Sequence, residues 1–175
     1  MSRSGFTDSD ECDQWAMIRW RGAVTSSIRG ARGQAFLREL AAAMDAMPEK
    51  VLIANAAVAD GAVCTLGVVA QARGLDLQRL DVAMEDWDWD HIGKELGISP
   101  SLAREVMYEN DEAVNEDRYV DVEICGPVRP WLPEWGSHQR TFCVPDPRAG
   151  ARRWRYMRDW VARHLVAAPH GEGER

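Results

Sequence analysis

The chain has 175 residues, of which 46% are hydrophobic and 28% are charged, and its formal net charge at pH 7 is −7. A chain of this length and composition buries a core without help from disulfides or metals, which excludes an intrinsically disordered protein. Its apolar stretches are too short to cross a bilayer, so we expect a cytoplasmic protein with no membrane contact. Residues 13–166 are predicted to form one domain, with tails at residues 1–12 and 167–175.

Two helices are predicted in the first third of the chain. Apolar residues recur at helical spacing over residues 14–28, after the N-cap residue Asp13. The glycines of residues 29–33 break this helix. The clearest amphipathic pattern of the chain then follows over residues 34–47, until Pro48 stops it.

A small β-ribbon is predicted next. Residues 51–53 open a strand-like segment, and the Asp-Gly pair at 60–61 is a strong turn signal that lets residues 63–64 return as a second strand. Residues 66–73 are predicted to be helical, with Gly74 as the C-terminal stop. A two-stranded ribbon is marginal alone, so it must pack on the helices.

The acidic residues 76–90 show little periodicity, and no helix or strand is predicted from them before residue 89. Two helices follow over residues 89–96 and 100–114, separated by a turn at Gly97. Proline-rich residues 116–149 are predicted to be irregular as well.

Within that proline-rich region, two short extended runs at residues 119–125 and 140–144 are candidates for pairing. A last amphipathic helix is predicted over residues 151–166, with Arg152, Arg155, Arg158 and Arg163 toward water. The predicted fold class is therefore mainly α, a helix-dominated α+β domain with one small two-stranded ribbon and a proline-rich irregular segment.

The first candidate for a metal site is the run of residues 86–90, which alternates aspartate with tryptophan. Carboxylates at every second position open a calcium-binding EF-hand loop. That loop needs glycine at its sixth position, where this chain has His91, and glutamate at its twelfth, where it has Gly97. The pattern fails twice, so the two tryptophans are interpreted as anchors of a loop whose carboxylates favour the dipole of the next helix.

Other chemistry has little support in the sequence. Cys125, His138 and Cys143 converge if their segment folds back as a hairpin, but no fourth zinc ligand is apparent. The chain contains no GxSxG, P-loop, HExxH or GxGxxG motif. We predict a non-enzymatic protein without metal or cofactor, and keep an enzyme or metal protein with an unrecognised site as an alternative.

Residues 92–106 have the pattern of a helix-turn-helix, with Gly97 in the turn, Ser99 as the cap and Pro100 at the first position of the second helix. This pattern makes a nucleic-acid-binding regulator a second alternative. Binding to nucleic acid depends on lysines and arginines at phosphates, however. Such binding is therefore disfavoured, because residues 81–124 hold 14 acidic residues against three basic ones, a balance of −11.

The same charge count indicates a protein partner. The chain as a whole carries −7, so the residues outside 81–124 sum to +4 and the charge is polarised. A dense acidic surface attracts basic partners, for example as an inhibitor that competes with nucleic acid. The alternative is that the acidity only keeps the protein soluble or pairs with its own arginines. The carboxylates predicted to form the partner-binding face are Asp86, Asp88, Asp90, Glu105, Glu109, Asp111 and Glu112.

A second partner-binding site is predicted at Trp131 and Trp135. Both lie in a proline-rich loop, which is a poor place to bury a large ring. Exposed tryptophans are enriched at binding hot spots.

Several segments carry a resemblance: residues 19–24 (RWRGAV), 28–40 (IRGARGQAFLREL), 60–67 (DGAVCTLG), 108–112 (YENDE) and 153–161 (RWRYMRDWV). Together they resemble an uncharacterised family of bacterial and phage- or prophage-associated proteins. The resemblance implies a phage or prophage setting, and it implies no activity and no catalytic residues.

Overall fold

The computed structural model describes residues 14–123 and 139–166. Within these ranges the chain forms seven helices and two two-stranded antiparallel sheets, which confirms a helix-dominated α+β fold. The elements are α1 (Gln14–Arg29), α2 (Ala31–Ala46), β1 (Val58–Ala59), β2 (Ala62–Val63), α3 (Thr65–Ala72), α4 (Leu77–Glu85), α5 (Trp89–Leu96), α6 (Pro100–Glu112), β3 (Asp117–Glu123), β4 (Gln139–Pro145) and α7 (Ala149–His164).

The break between α1 and α2 is one residue long. Gly30 adopts an extended conformation, and α2 begins at Ala31 instead of residue 34. Gly33, in the first turn of α2, lies so close to the end of α1 that an added Cβ would be 1.9 Å from the carbonyl oxygen of Ser27. The predicted break over residues 29–33 was too long because Gly33 serves helix packing and does not interrupt the helix.

The core is formed by α2, α3 and α6, with α7 and α1 packed around them. Six of the eight residues of α3 are buried, which is why its sequence shows no polar face. α2 contributes the predicted apolar stripe, and its largest fully buried side chains are Phe36, Leu37, Leu40 and Met44.

The predicted turn at residues 60–61 is confirmed. Asp60 and Gly61 have φ values of 49° and 80°, the left-handed pair of a type I′ turn, and they join β1 to β2 with Val58 opposite Val63.

The predicted strand at residues 51–53 is wrong. The Leu52 amide donates to the Gly150 carbonyl at 3.2 Å, and the Ile53 amide donates to the Val63 carbonyl at 3.2 Å. Because these hydrogen bonds go to two different elements, the segment lies along neither of them and forms a loop that bridges α7 and β2.

Residues 76–90, where the poor periodicity led to no predicted helix, contain the helix α4. The Asp76 side chain caps it by accepting from the amides of Gln78 and Arg79, and Leu80, Ala83 and Met84 are buried. The helix is short, and the turn that ends it lies inside the same segment, so that the segment as a whole shows no single period.

The two helices around Gly97 are confirmed as α5 and α6. Gly97 has φ = 67°, and the Ser99 hydroxyl accepts from the Leu102 amide, as the sequence predicts. Gly93 permits the tight turn, because an added Cβ there would lie 2.9 Å from the Ile98 carbonyl oxygen.

The two extended runs of the proline-rich region pair, over residues 117–123 and 139–145. The candidate pairing of these runs is therefore confirmed, and β3 and β4 add a second ribbon to the one formed by β1 and β2. Neither strand packs extensively on any helix in the described part of the chain. The ribbon is thus supported mainly at its base, where the Asp146 amide donates to the Glu116 carbonyl at 2.7 Å.

The C-terminal helix α7 is held at its end by the buried side chain of Gln34. Its Nε2 donates to the carbonyls of Ile28 and His164, and its Oε1 accepts from the Val166 amide. The predicted tails fall on residues outside the described ranges. No helix of the described residues is long and apolar enough to span a bilayer.

Candidate protein-binding surfaces

Asp86, Asp88 and Asp90 are exposed; the first two lie in the link between α4 and α5, and Asp90 lies in the first turn of α5. Asp88 caps α5 by accepting from the His91 amide at 3.0 Å. The predicted favourable placement of carboxylates at a helix start is therefore present, and it leaves the three aspartates at the surface.

Trp87 lies between these aspartates in a left-handed conformation, with φ = 58°. It ends α4 with the two hydrogen bonds of a Schellman motif, from the Trp87 amide to the Met84 carbonyl and from the Asp88 amide to the Ala83 carbonyl. Glycine is the usual residue there, since a left-handed conformation costs other residues about 1–2 kcal/mol.

Trp87, in this link, and Trp89, the first residue of α5, have different roles. Trp89 is partly buried and packs on the core, as predicted for an anchor. Trp87 is 50% exposed and meets Trp89 edge to face, with ring centroids 6.3 Å apart. Val82, which lies on α4 five residues before Trp87, is exposed as well. We define the Trp87 patch as Val82, Asp86, Trp87, Asp88 and Asp90.

The carboxylates of α6 differ in their exposure. Glu105 is only 6% exposed, and Glu109 is partly buried where it accepts a hydrogen bond from the Tyr156 hydroxyl. Glu112 is exposed at the end of the helix. The seven carboxylates predicted to form one face are therefore divided, because α6 packs against α1, α3, α5 and α7.

Asp111 belongs to an internal network. Its Oδ1 accepts from the Asn55 amide at 3.0 Å and from Asn110 Nδ2 at 2.8 Å, and burial raises the pKa of its carboxyl group. Asn110 is fully buried, and its Oδ1 accepts from the amide and hydroxyl of Thr65. Asn110 Nδ2 also donates to the Ile53 carbonyl. These contacts fix α6 to α3 and hold Asp111 away from a partner.

Arg153 is the largest fully buried side chain, and sequence reasoning did not select it. Its Nε donates to the Asn110 carbonyl at 2.8 Å and its Nη1 to the Leu52 carbonyl at 3.1 Å. Its Nη2 donates to the Val114 carbonyl and to the Glu116 carboxylate. A guanidinium at carbonyls of the end of α6 also complements that helix's dipole, so its role is structural.

Cys64 is a poor nucleophile. Its thiol is fully buried, and burial raises its pKa to about 12, so it stays protonated and unreactive. Within residues 14–123 and 139–166, no three histidine, cysteine or acidic side chains are arranged to hold a metal ion. Cys143 is exposed on β4, whereas Cys125, His138, Trp131 and Trp135 lie outside the described ranges.

The helix-turn-helix shape is present without a recognition surface. Of the 13 residues of α6, only Pro100 and Glu112 are exposed. A recognition helix must place side chains against base edges in a groove, and α6 is the central helix of the core. The local pattern predicted the turn correctly, and the packing around α6 leaves only two of its residues exposed.

Three exposed side chains on the second ribbon were also missed: Tyr119, Val122 and Phe142. The alternation of polar and apolar residues within each strand was the available signal. The chain matches no family profile, no curated protein and no solved structure.

Proposed function

We propose that this is a cytoplasmic, non-enzymatic protein that binds a basic protein partner through the Trp87 patch. The phage or prophage setting implied by the sequence resemblance suits an inhibitor that competes with nucleic acid for a basic groove of its target. The observation that carries the proposal is Trp87 itself, a half-exposed aromatic ring in a left-handed backbone, set among three exposed aspartates.

The chemistry of the patch suits arginine more than any other residue. A guanidinium stacks on the face of a tryptophan and donates bidentate hydrogen bonds to a carboxylate. Tryptophan is also among the residues most often found at hot spots. The long-range field favours the same partner, because residues 81–124 carry a balance of −11.

The left-handed backbone conformation of Trp87 supports the proposal that its side chain serves binding and not the stability of the fold. The turn needs a left-handed residue, and glycine meets that need without the cost of about 1–2 kcal/mol. Folding alone therefore favours glycine at this position. A strained residue at an exposed site supports a functional hypothesis.

The alternatives have less support. The central position of α6 opposes a helix-turn-helix regulator that reads DNA with that helix. Catalysis by Cys64 is opposed by its burial and its raised pKa.

The test measures binding of a fluorescent arginine-rich peptide by anisotropy, at low and at moderate salt. We expect Trp87→Ala and Trp87→Gly to weaken binding by at least about tenfold, since hot-spot truncations cost about 2 kcal/mol or more. The triple variant Asp86→Asn, Asp88→Asn, Asp90→Asn should weaken it as well and reduce its salt dependence. Trp87→Gly should also be more stable to urea than Trp87→Ala by about 1 kcal/mol, because only glycine relieves the backbone.

The matched control removes three exposed charges outside the patch, with Glu49→Gln, Asp60→Asn and Asp159→Asn. Trp15→Ala, which removes another exposed tryptophan, is the aromatic control. Both controls should bind the peptide like the unchanged protein. Equal losses in the control and patch variants would show that only net charge attracts the peptide, and the proposal would then be wrong.

A further inference from the structure

The alternation of β3 gives its ribbon two chemically different faces. Residues at odd numbers of β3 point to one side of the sheet and residues at even numbers to the other. We name the first side the carboxylate face; on β3 it carries Asp117, Tyr119, Asp121 and Glu123. The register places on the opposite side the apolar residues Val120, Val122, Phe142 and Val144, with Arg118 and Arg140.

The outer edge of β3 is unpaired within the described residues, because the sheet consists of β3 and β4 only. An edge strand presents a row of amides and carbonyls that are ready to pair with another chain. A third strand also stabilises a ribbon that is marginal with two.

The base of the ribbon holds this edge in place. The Glu116 carboxylate, next to the first residue of β3, accepts from the buried Arg153. On the carboxylate face, the Thr141 hydroxyl donates to Asp121 Oδ1 at 2.6 Å, which orients that side chain across the ribbon. The start of β3 is therefore anchored to the helical core, and Asp121 is tied to the neighbouring strand β4.

The charges on β3 decide which strands can pair with it. A second copy of the chain that pairs β3 with β3 places carboxylates opposite carboxylates on one face, which is destabilising. The edge of β4 has no such selectivity, because its residues on that face are Gln139, Thr141, Cys143 and Pro145. The β3 edge thus rejects acidic strands and favours basic ones.

We propose that the outer edge of β3 binds an extended segment of a partner protein as a third strand. The segment carries arginine or lysine at alternate positions, on the carboxylate face, and apolar residues between them, beside Val120 and Val122. Directly opposite residues in such a pair lie about 4.5–5.5 Å apart, within reach of salt bridges. Tyr119, which is 77% exposed, adds an aromatic ring for a guanidinium. This site is separate from the Trp87 patch and binds whether or not the patch does.

The probe is a synthetic peptide that alternates arginine and valine over the length of β3, and binding is measured by titration calorimetry. Hydrogen exchange should show new protection of the amides of residues 117–123 in the complex. A peptide of the same composition with its arginines in one block should bind at least about tenfold more weakly. The alternating peptide with N-methyl groups on its edge-facing amides should lose binding to the same extent, because it lacks the donors for pairing.

Variants separate this site from the rest of the acidic surface. Asp121→Asn with Glu123→Gln should weaken binding by at least about tenfold, since both opposite charges are lost while the strand is kept. The matched pair Arg118→Gln with Arg140→Gln, on the other face, should leave binding unchanged or tighten it. Trp87→Ala should leave it unchanged, so that failure of one site is distinguished from failure of the other.

Three results would overturn the proposal. The first is equal binding of the alternating and block peptides without protection of residues 117–123. The second is full binding of the N-methylated peptide, which would exclude strand addition. The third is protection of the same residues by single-stranded oligonucleotides, which would make the ribbon a nucleic-acid surface formed around Arg118, Arg140 and Phe142.

Discussion

Arg153 shows how much one side chain holds together in this fold. It is 1% exposed, and it joins three backbone carbonyls and one carboxylate from α6, the loop before β1 and the start of the second ribbon. Methionine fills a similar volume but has no donors. We expect Arg153→Met to lower the free energy of unfolding by at least about 3 kcal/mol, because buried carbonyls lose their partners.

The neighbouring Arg152 is the control for this change. Its side chain is 46% exposed where it pairs with Asp146 at 2.9 Å, so Arg152→Met should cost less than Arg153→Met, by about 2 kcal/mol. Urea unfolding followed by circular dichroism measures both variants. Similar losses in the two variants would contradict the role assigned to Arg153.

For single residues, the sequence predicted caps and turns, but it did not predict which charged side chain is buried. Ser99 and the turn at 60–61 act through atoms a few residues away, so their residue types suffice to predict them. Arg153 has the same local surroundings as Arg152 and Arg155 within one helix. Only the carbonyls of Leu52, Asn110 and Val114, distant in sequence, make it a buried residue.

At the scale of elements, the close contact of α1 with α2 depends on Gly33. The distance of 1.9 Å from an added Cβ to the Ser27 carbonyl oxygen is far inside van der Waals contact, and the obstacle is backbone. We expect Gly33→Ala to force the helices apart and to destabilise the fold by about 1–3 kcal/mol or more.

Gly22, in the middle of α1, is the matched position for this test. An added Cβ there meets nothing within 4 Å, so Gly22→Ala should stabilise the protein by about 0.5–1 kcal/mol through the helix propensity of alanine. Thermal unfolding of the two variants should shift in opposite directions. A shift of the same sign in both variants would show that the packing of α2 against α1 adjusts easily to the added methyl group at position 33.

The elements were predicted best where one long period dominates, as in α1, α2 and α7. The helix α4 was missed because the segment 76–90 also contains the Schellman turn at Trp87, which interrupts the period after nine residues. Asp76 followed by Leu80, Ala83 and Met84 was the available signal. The burial of α6 was beyond prediction, since it depends on how four other helices pack around it.

At the scale of the whole molecule, its carboxylates respond to pH in opposite directions. Burial raises the pKa of Asp111, whereas hydrogen bonds and charge from Arg73 and Arg158 lower those of Glu39 and Asp45. A raised carboxyl pKa means that the folded state binds more protons than the unfolded one, so this contribution to stability falls as pH rises. The lowered pKa values contribute stability that is lost as pH falls.

Asp111→Asn isolates the first of these effects. The variant keeps an oxygen for the Asn55 amide and removes the buried charge. Its stability relative to the unchanged protein should therefore increase as pH rises from the ordinary value of 3.8 through the raised pKa of Asp111.

Glu39→Gln is the opposite control, because Glu39 makes a bidentate contact with Arg73. The stability of this variant relative to the unchanged protein should fall as pH rises from the lowered pKa of Glu39 to the ordinary value of 4.5. Above pH 4.5 the unchanged protein has the full stabilisation from Glu39, and the variant lacks it. Urea unfolding at a series of pH values measures both variants. A pH-independent difference for Asp111→Asn would contradict the assigned cause.

The distribution of charge could be read directly from the sequence, but its division among surfaces could not. The balance of −11 over residues 81–124 is a property of composition. The fold then sends Glu105 and Asp111 inward, leaves Asp86, Asp88 and Asp90 around Trp87, and carries Asp121 and Glu123 out on the ribbon. Two separate acidic surfaces result from one acidic stretch.

The burial of Cys64 makes its thiol a chemical probe for opening of the folded protein. A chain with serine at positions 12, 125 and 143 keeps this single thiol, which lies at the start of α3 among the most buried residues of the core. An alkylating reagent reaches it only when the helices around it separate. The alkylation rate therefore reports how often the core opens under native conditions, without any denaturant.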